Sequence, residues 1–467
     1  MKKIILVLLL FSGLKLDAIS STMNHRLVTS SPLLYKQIDY SHENLSIEFE
    51  PWISQMFDPQ HTVSNLAPEG LSTLSLEQRG TGDLNPTWLY LGSSNEDFNY
   101  SSKLNLHPTQ QIYGLLFHTY KQFEHVFFDV RTSLLESKTM VELTETGGGN
   151  GGLDTYLGFI IHDAYEAFTQ SEFEYGKIGA SRQVIGFDNI QVMFGGSTEF
   201  SESDTRSYFA GFGVVEVPTG AGTKSEWLFE PQVGTNHWGI GFGFDTMFIN
   251  DNGLSFVFGG NFRHLIANWE KRTFDLTDNG PWSRYLLVTP LSDYEGSEPL
   301  SIGMPGINIF TQDALIAGRN QITMYARLQK QMEESLFEVS YNFFYNQAES
   351  IRQVTRIPSG YGIYALGTLG GISTASTAEI NQAYSADDTD YYSRYFPLDN
   401  TPVELVTDDL NLSSAAAGMW LSSTVAVRLQ RVRENFTYGI GGSVDLANSQ
   451  QAISTWSVWA NFEILLS

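Results

Sequence analysis

A strict alternation of side chains, with a period of two residues, dominates one stretch of the chain. Bulky residues occupy one set of positions: Trp238, Ile240, Phe242, Phe244 and Phe248. Smaller or more polar residues fill the gaps: Gly239, Gly241, Gly243, Asp245 and Met247. Only a β-strand sends neighbouring side chains to opposite faces. The pattern therefore predicts a strand with one bulky apolar face and one small or polar face.

The alternation resumes after the Asn250–Gly253 turn and recurs almost to the last residue. It is clear over residues 113–131, 190–194, 254–263, 322–345, 424–446 and 455–466, and blurred over 208–217. Short turns near Glu124, Ser203, Asn252, Glu333 and Arg433 alternate with long segments at 146–186, 218–234, 266–320 and 348–413. Tight turns at one end and long loops at the other are typical of an outer-membrane barrel. We therefore predict an all-β fold, a transmembrane antiparallel up-and-down β-barrel with short periplasmic turns and long extracellular loops. A soluble sandwich is the alternative.

The number of strands is predicted to lie between twelve and fourteen. Eleven strands follow Gln110, and Pro86–Gly92 and Leu45–Trp52 compete to be the twelfth. The segments Trp282–Val288 and Ser301–Phe310 would add one further hairpin. A barrel of this size has a narrow or partly plugged lumen.

The N-terminus has the pattern of a secretory signal. A basic Met1–Lys3 start, an apolar Ile4–Phe11 core and small residues near Ser20 predict a signal peptide at residues 1–20. The expected organisation is then an N-terminal arm or hatch at 21–85, with the first barrel strand as an alternative for this segment, and a barrel at 86–467. This predicts Sec-dependent export to the bacterial outer membrane, with outer-membrane lipid and the barrel-assembly machinery as partners.

The composition fits an apolar body that carries acidic loops. The formal net charge is -25, only 17% of residues are charged, and aromatic residues make up 13%. Nucleic acid needs a basic footprint, so it is not an expected partner. The chain has no cysteine, which argues against a disulfide-bonded extracellular module.

A set of polar residues on the alternating strands is expected to face the lumen. It comprises Asp129, Arg131, Asp245, Asn261, Arg263, Arg327, Gln329, Glu338, Asn342, Arg428, Asp445 and Glu463. Acidic and basic groups on opposite walls would orient polar solutes. The alternative is a network of ion pairs that simply fills the barrel, because unpaired buried charge is costly.

Residues 153–168 break the two-residue period and follow helical spacing. The apolar stripe comprises Tyr156, Leu157, Ile160, Ile161, Ala164, Tyr165 and Phe168. One hypothesis is a loop helix that constricts the lumen. The other is a helix that only packs on neighbouring loops.

No catalytic, cofactor or metal site is predicted. The acidic residues Asp387, Asp388 and Asp390 lack the spacing of a calcium loop. No serine or histidine falls in a recognised catalytic frame. His118 and His264 lie on strands, so a lipid hydrolase with a barrel-wall histidine stays an alternative.

Three stretches carry a family resemblance: Gly211–Gly220, Glu230–Gly234 and Trp238–Gly243. They resemble Gram-negative outer-membrane barrel channels, and look most like the group linked to meta-pathway phenol degradation. The resemblance implies movement of small molecules and no catalytic residue. One departure is the Leu465–Ser467 end, because such barrels usually finish on an aromatic residue. Assembly is then expected to use Trp456, Trp459 and Phe462.

The function expected from these features is porin-like, passive or weakly selective passage of small solutes. The alternative is a surface barrel whose long loops mediate adhesion or binding.

Overall fold

The computed structural model describes most of the chain, with gaps mainly near the N-terminus and in one long loop. The described residues are 22–23, 45–66, 72–77, 83–91, 100–148, 161–179, 181–202, 205–277, 281–295, 298–299, 303–363, 404–433, 435–449 and 452–466. The predicted signal peptide and the aspartates at 387–390 lie outside them, as do Tyr156, Leu157 and Ile160.

Twelve strands of the described residues form a closed antiparallel barrel. They are β1 Leu45–Met56, β2 Ser102–Phe123, β3 Val126–Gly147, β4 Ile190–Glu202, β5 Thr205–Val217, β6 Gly239–Asn250, β7 Leu254–Leu265, β8 Arg319–Met332, β9 Ser335–Asn346, β10 Trp420–Arg433, β11 Phe436–Ala447 and β12 Thr455–Leu466. Each strand pairs with its neighbours in chain order, and β1 pairs with β12, where Phe49 lies opposite Phe462. The predicted fold class and the count of twelve are confirmed.

Two strand predictions need correction. Leu45–Met56 is the first barrel strand, whereas Pro86–Leu89 forms a 3₁₀ helix. Pro86 has no backbone N–H and would interrupt a ladder there. The expected extra hairpin at 282–310 is also wrong, because Leu287–Pro290 and Met304–Pro305 pair with each other outside the barrel.

The two faces of the barrel differ as the alternation predicted. Outward side chains are large, apolar and exposed; Phe242 and Ile440 each expose 65% of their surface. Inward positions carry polar and charged residues that are buried, including Glu48, Asp129 and Arg428. A closed ladder with an apolar exterior satisfies the backbone and suits a bilayer. The protein is therefore a membrane-spanning β-barrel.

The blurred alternation in β5 has a structural reason. Tyr208 and Val214 point inward and are buried, while Phe209 and Val215 point outward and are exposed. Both faces of this strand carry large apolar residues, so hydrophobicity alone does not separate them.

The long connections fold into a cap at one end of the barrel. The cap contains the three-stranded sheet Asn268–Thr273, Thr311–Ile316 and Ile351–Val354, the three-stranded sheet of Leu287–Pro290, Met304–Pro305 and Tyr361–Ile363, and the strand pairs Asp275–Leu276 with Leu410–Asn411 and Tyr294–Glu295 with Glu298–Pro299. Thr73–Leu76 pairs with β2, Ser181–Phe187 pairs with β3, and Thr22–Met23 pairs in parallel with Glu230–Pro231. The helices are α1 Pro59–Leu66, α2 Ala164–Thr169 and α3 Ile307–Phe310, and further 3₁₀ turns are Ser283–Tyr285, Leu291–Asp293, Thr407–Asp409 and Leu412–Ala415.

The cap has a hydrophobic core of its own. Trp88, Phe168, Phe173, Trp282 and Tyr285 are among its fully buried members. The Tyr285 ring contacts Phe168 edge-on, with ring centres 5.5 Å apart. The long loops are therefore a packed layer over one end of the barrel. None of the helices in the described residues is long and apolar enough to cross a bilayer.

Candidate functional site

The structure brings the predicted lumen residues onto the inner wall. Asn261 and Asp445 are partly exposed, and the other ten are at least nine-tenths buried. Alternation in the strand ladder positions them, because every second residue of each strand points inward. Their side chains form several distinct groups at different places on the wall.

The first group surrounds His118 on β2. Its Nδ1 lies 3.0 Å from Glu48 Oε2 on β1, and its Nε2 lies 2.9 Å from Asp129 Oδ2 on β3. Arg131 donates from Nε to Asp129 Oδ1 and from Nη2 to Oδ2, both at 2.9 Å. Both imidazole nitrogens thus face carboxylates. This arrangement favours the doubly protonated, charged ring, since each nitrogen can then donate.

The second group bridges two strands that are three places apart in the twelve-strand wall. Arg428 Nη2 on β10 lies 3.8 Å from Glu50 Oε2 on β1. Two strands, β11 and β12, separate these residues along the wall. On the neighbouring wall, Arg327 Nη1 lies 3.6 Å from Glu338 Oε2, to which Gln329 Nε2 donates at 2.8 Å. All five side chains are at least nine-tenths buried, so protein atoms occupy the interior at this level.

A third ion pair lies nearer the cap. Arg263 Nη1 on β7 donates to Glu216 Oε2 on β5 at 2.7 Å, and both residues are fully buried. The pair passes over β6, where a Cβ on Gly239 would lie 2.9 Å from the Cβ of Glu216. The glycine therefore leaves room for the ion pair.

Other inward glycines lie beneath aromatic rings. A Cβ on Gly114 would come within 2.5 Å of the Trp52 indole, one on Gly441 within 2.4 Å of Trp459, and one on Gly243 within 2.4 Å of the Phe212 ring. The glycines do point inward, as predicted, but the space beside them is filled. Of the residues expected to serve assembly, Trp459 is buried with these inward rings, whereas Phe462 is exposed on the outer wall.

Four buried inward-facing residues were not predicted from the sequence: Glu48, Glu50, Trp52 and Glu216. The first three lie on β1, which was one of two candidates for the twelfth strand. Glu48, Glu50 and Trp52 are nevertheless spaced two residues apart, and that spacing is a usable signal. Glu216 was missed because the alternation of β5 is blurred.

The predicted constriction helix is shorter than expected. Helix α2 begins at Ala164, and Asp163 caps it by accepting from the Glu166 amide at 2.8 Å. Residues 161–163 are not helical, because the cap at Asp163 fixes the first helical residue at Ala164, three residues after Ile161. Ile161 and Phe168 are buried in the cap core, and Tyr165 is 45% exposed.

A buried charge cluster joins the cap to the barrel rim. Glu349 accepts from Arg272 Nη2 at 3.1 Å, from the Ala417 amide at 2.9 Å, and from Arg319. Glu270 accepts from the same Arg272 nitrogen at 2.5 Å. Burial alone would raise the pKa of Glu349, but Arg272 and Arg319 lower it to about 2. The cluster therefore ties the loop between β7 and β8 to the loop between β9 and β10, and both to the first residue of β8.

A second buried pair holds two cap loops together. Arg284 donates from Nε and Nη2 to the two carboxylate oxygens of Asp275, at 2.9 and 2.6 Å. Arg284 Nη2 also donates to the Ser414 carbonyl at 3.2 Å. Burial would lower the pKa of Arg284, but Asp275 raises it above the ordinary value, so the guanidinium stays charged.

The two strand histidines lie on opposite faces of the wall and have different partners. Carboxylates face both nitrogens of His118. His264 is exposed on the outer wall, and its Nδ1 faces Asn320 Oδ1 at 2.9 Å.

Comparison with known proteins gives fold-level similarity only. No family model matches the chain, and no curated protein matches it. Among solved structures, an outer membrane channel from Pseudomonas putida F1 has a TM-score of 0.41 and 7% identity, covering 92% of this chain and 100% of that chain. The transport unit of the autotransporter AIDA-I from Escherichia coli has a TM-score of 0.30 and 7% identity, with 94% and 95% covered. The Ralstonia pickettii toluene transporter TbuX has a TM-score of 0.27 and 8% identity, with 91% and 90% covered.

Proposed function

We propose that the protein is a bacterial outer-membrane channel that passes small polar solutes when its charged interior rearranges. The observation that carries this proposal is the ion pair between Glu50 and Arg428, which bridges β1 and β10 past the two strands between them. Outer-membrane lipid surrounds the apolar exterior, residues 1–20 direct Sec-dependent export before they are removed, and the barrel-assembly machinery inserts the chain.

Buried charge is a poor way to stabilise a barrel that exists only as a scaffold. Desolvation of an ion pair offsets much of its Coulomb attraction, and apolar residues of similar size stabilise a core as well or better. An interior that keeps Glu48, Asp129, Arg131, Glu338 and Arg428 is better suited to a polar solute. When such pairs separate, both partners become free to bind water or solute, so passage is passive and weakly selective.

Conductance and solute flux test this proposal directly. Purified protein is folded into planar bilayers and into liposomes loaded with neutral and charged solutes of increasing size. We expect discrete current steps and swelling that falls as solute size increases. Folded protein that gives neither current nor solute-dependent swelling would overturn the channel proposal.

The folded cap favours a second candidate, a barrel whose loops bind an external ligand. A hydrophobic core and two buried charge clusters order the cap more than a passive entrance requires. Absence of conductance together with specific ligand binding would favour this candidate.

A further inference from the structure

A pocket opens in the cap where three connections between strands meet. Its volume is about 440 Å³, within the range of small-molecule sites. One wall comes from residues 174–175, another from 222–236, and the third from the strand Asn268–Thr273. None of the ion-pair groups inside the barrel contributes to it.

Hydrogen bonds hold one wall of the pocket in place. Thr223 Oγ1 and Ser225 Oγ donate to the Lys271 carbonyl, at 3.2 and 2.8 Å. The Glu230 carboxylate accepts from the amides of Lys224 and Ser225, at 3.1 and 2.7 Å. The loop is thereby fixed against the cap sheet, so the pocket is preformed.

The walls combine aromatic surface with hydrogen-bonding groups of both charges. Trp269 lines the pocket and is 45% exposed. The Lys271 ammonium lies 5.3 Å from the centre of the Tyr175 ring and 3.5 Å from Asp313 Oδ1. Glu174 contributes a further carboxylate.

We propose that this pocket binds a neutral saccharide of one or two units. The apolar C–H face of a sugar ring stacks on Trp269, because an indole offers a flat apolar surface. Its hydroxyls donate to carboxylates such as Glu174 and Asp313, and accept from Lys271 and the Asn236 amide. A sugar hydroxyl is both donor and acceptor, so it satisfies both kinds of wall group.

Other ligand classes fit this chemistry less well. A wholly apolar molecule would leave Glu174 and Asp313 desolvated without partners. An anion would meet the same carboxylates. A cation would compete with Lys271, which already lies over the Tyr175 ring.

The sugar can come from two sources, a free oligosaccharide or the sugar part of lipopolysaccharide beside the barrel. Calorimetry on the whole detergent-folded protein therefore uses maltose, lactose, sucrose and purified lipopolysaccharide core oligosaccharide in separate titrations. Spermidine is the probe for the competing cationic class. Binding of a disaccharide assigns the free source, and binding of core oligosaccharide alone assigns the lipid source.

Trp269→Ala and Asp313→Asn are the informative variants, and Trp238→Ala is the matched control. Trp238 is 52% exposed on the barrel wall and does not line the pocket. We expect saturable millimolar or tighter binding of at least one sugar, which each pocket variant weakens about tenfold and Trp238→Ala leaves unchanged. No saturable sugar binding, sugar binding equal in all variants, or spermidine binding that Trp269→Ala alone removes would overturn the proposal. Calorimetry measures sugar binding without any current through the barrel. The saccharide-site proposal and the channel proposal can therefore be refuted independently.

Discussion

Arg428 and Glu50 meet inside the barrel, with 3.8 Å between Nη2 and Oε2, although β11 and β12 separate their strands along the wall. Both side chains are almost fully buried. A contact that passes two intervening strands must extend further from the wall into the interior than a contact between neighbouring strands.

Arg428→Ala is expected to increase single-channel conductance several-fold, because it removes the longer side chain of the pair. The remaining Glu50 carboxylate should also shift the current toward cations. Planar-bilayer recording with asymmetric salt measures both effects. Arg431→Ala is the control, since Arg431 lies on the same strand but pairs with Glu334 at an exposed turn. Similar currents for the two variants would refute the obstructing role of Arg428.

Phe242→Arg is expected to destabilise the barrel by about 2–4 kcal/mol if residue 242 lies near the bilayer midplane. Phe242 is exposed outward on β6, so the charge would enter acyl chains. Urea unfolding in lipid vesicles gives the free energy of unfolding. Gln353→Arg places the same charge on an exposed cap residue and should change stability little. Equal losses at both sites would contradict the assigned lipid-facing surface.

Gly243→Ala is expected to cost about 1–3 kcal/mol, because the new Cβ meets the Phe212 ring and overpacked sites must shift. The same contact leads us to expect that Gly243→Arg also hinders folding. Gly211→Ala on the adjacent strand is the control, since its Cβ would meet nothing within 4 Å. Unfolding midpoints in vesicles compare the two alanine variants. A Gly211 variant as unstable as the Gly243 variant would mean that strand propensity, not the ring, decides the cost.

The Glu349 cluster should make the cap sensitive to acid. The pKa of Glu349 is lowered from its ordinary value of 4.5 to about 2 in the folded protein. The carboxylate therefore contributes stability that is fully present above 4.5 and is lost as the pH falls toward 2. Tryptophan fluorescence recorded from pH 6 to pH 2 follows the loosening, because Trp282 is buried in the cap core.

Glu349→Gln is expected to weaken the cap already at pH 6 and to flatten this acid transition. Glu334→Gln is the control, because the Glu334 side chain is 54% exposed at the turn between β8 and β9, at the opposite end of these strands from the cap. A wild-type transition that persists unchanged in the Glu349 variant would assign the acid sensitivity to other groups.

The side-chain alternation by itself determined the barrel, its inner and outer faces and the end that bears the long loops. These follow from one local rule, that neighbouring residues of a strand point to opposite faces. For this reason Phe242 and Asp245 could be assigned to opposite walls without coordinates.

Only the tertiary structure decided which residues meet inside the barrel and how the loops pack. Glu50 contacts Arg428 because barrel closure brings β1 and β10 within reach of each other, and closure depends on pairing between the first and last strands. The space beside Gly243 is filled because Phe212 comes from the neighbouring strand, whose own alternation is blurred. The direction of each side chain on a strand is a local property of the chain. Contact between side chains of different strands depends on register and barrel curvature, which no single stretch of sequence encodes.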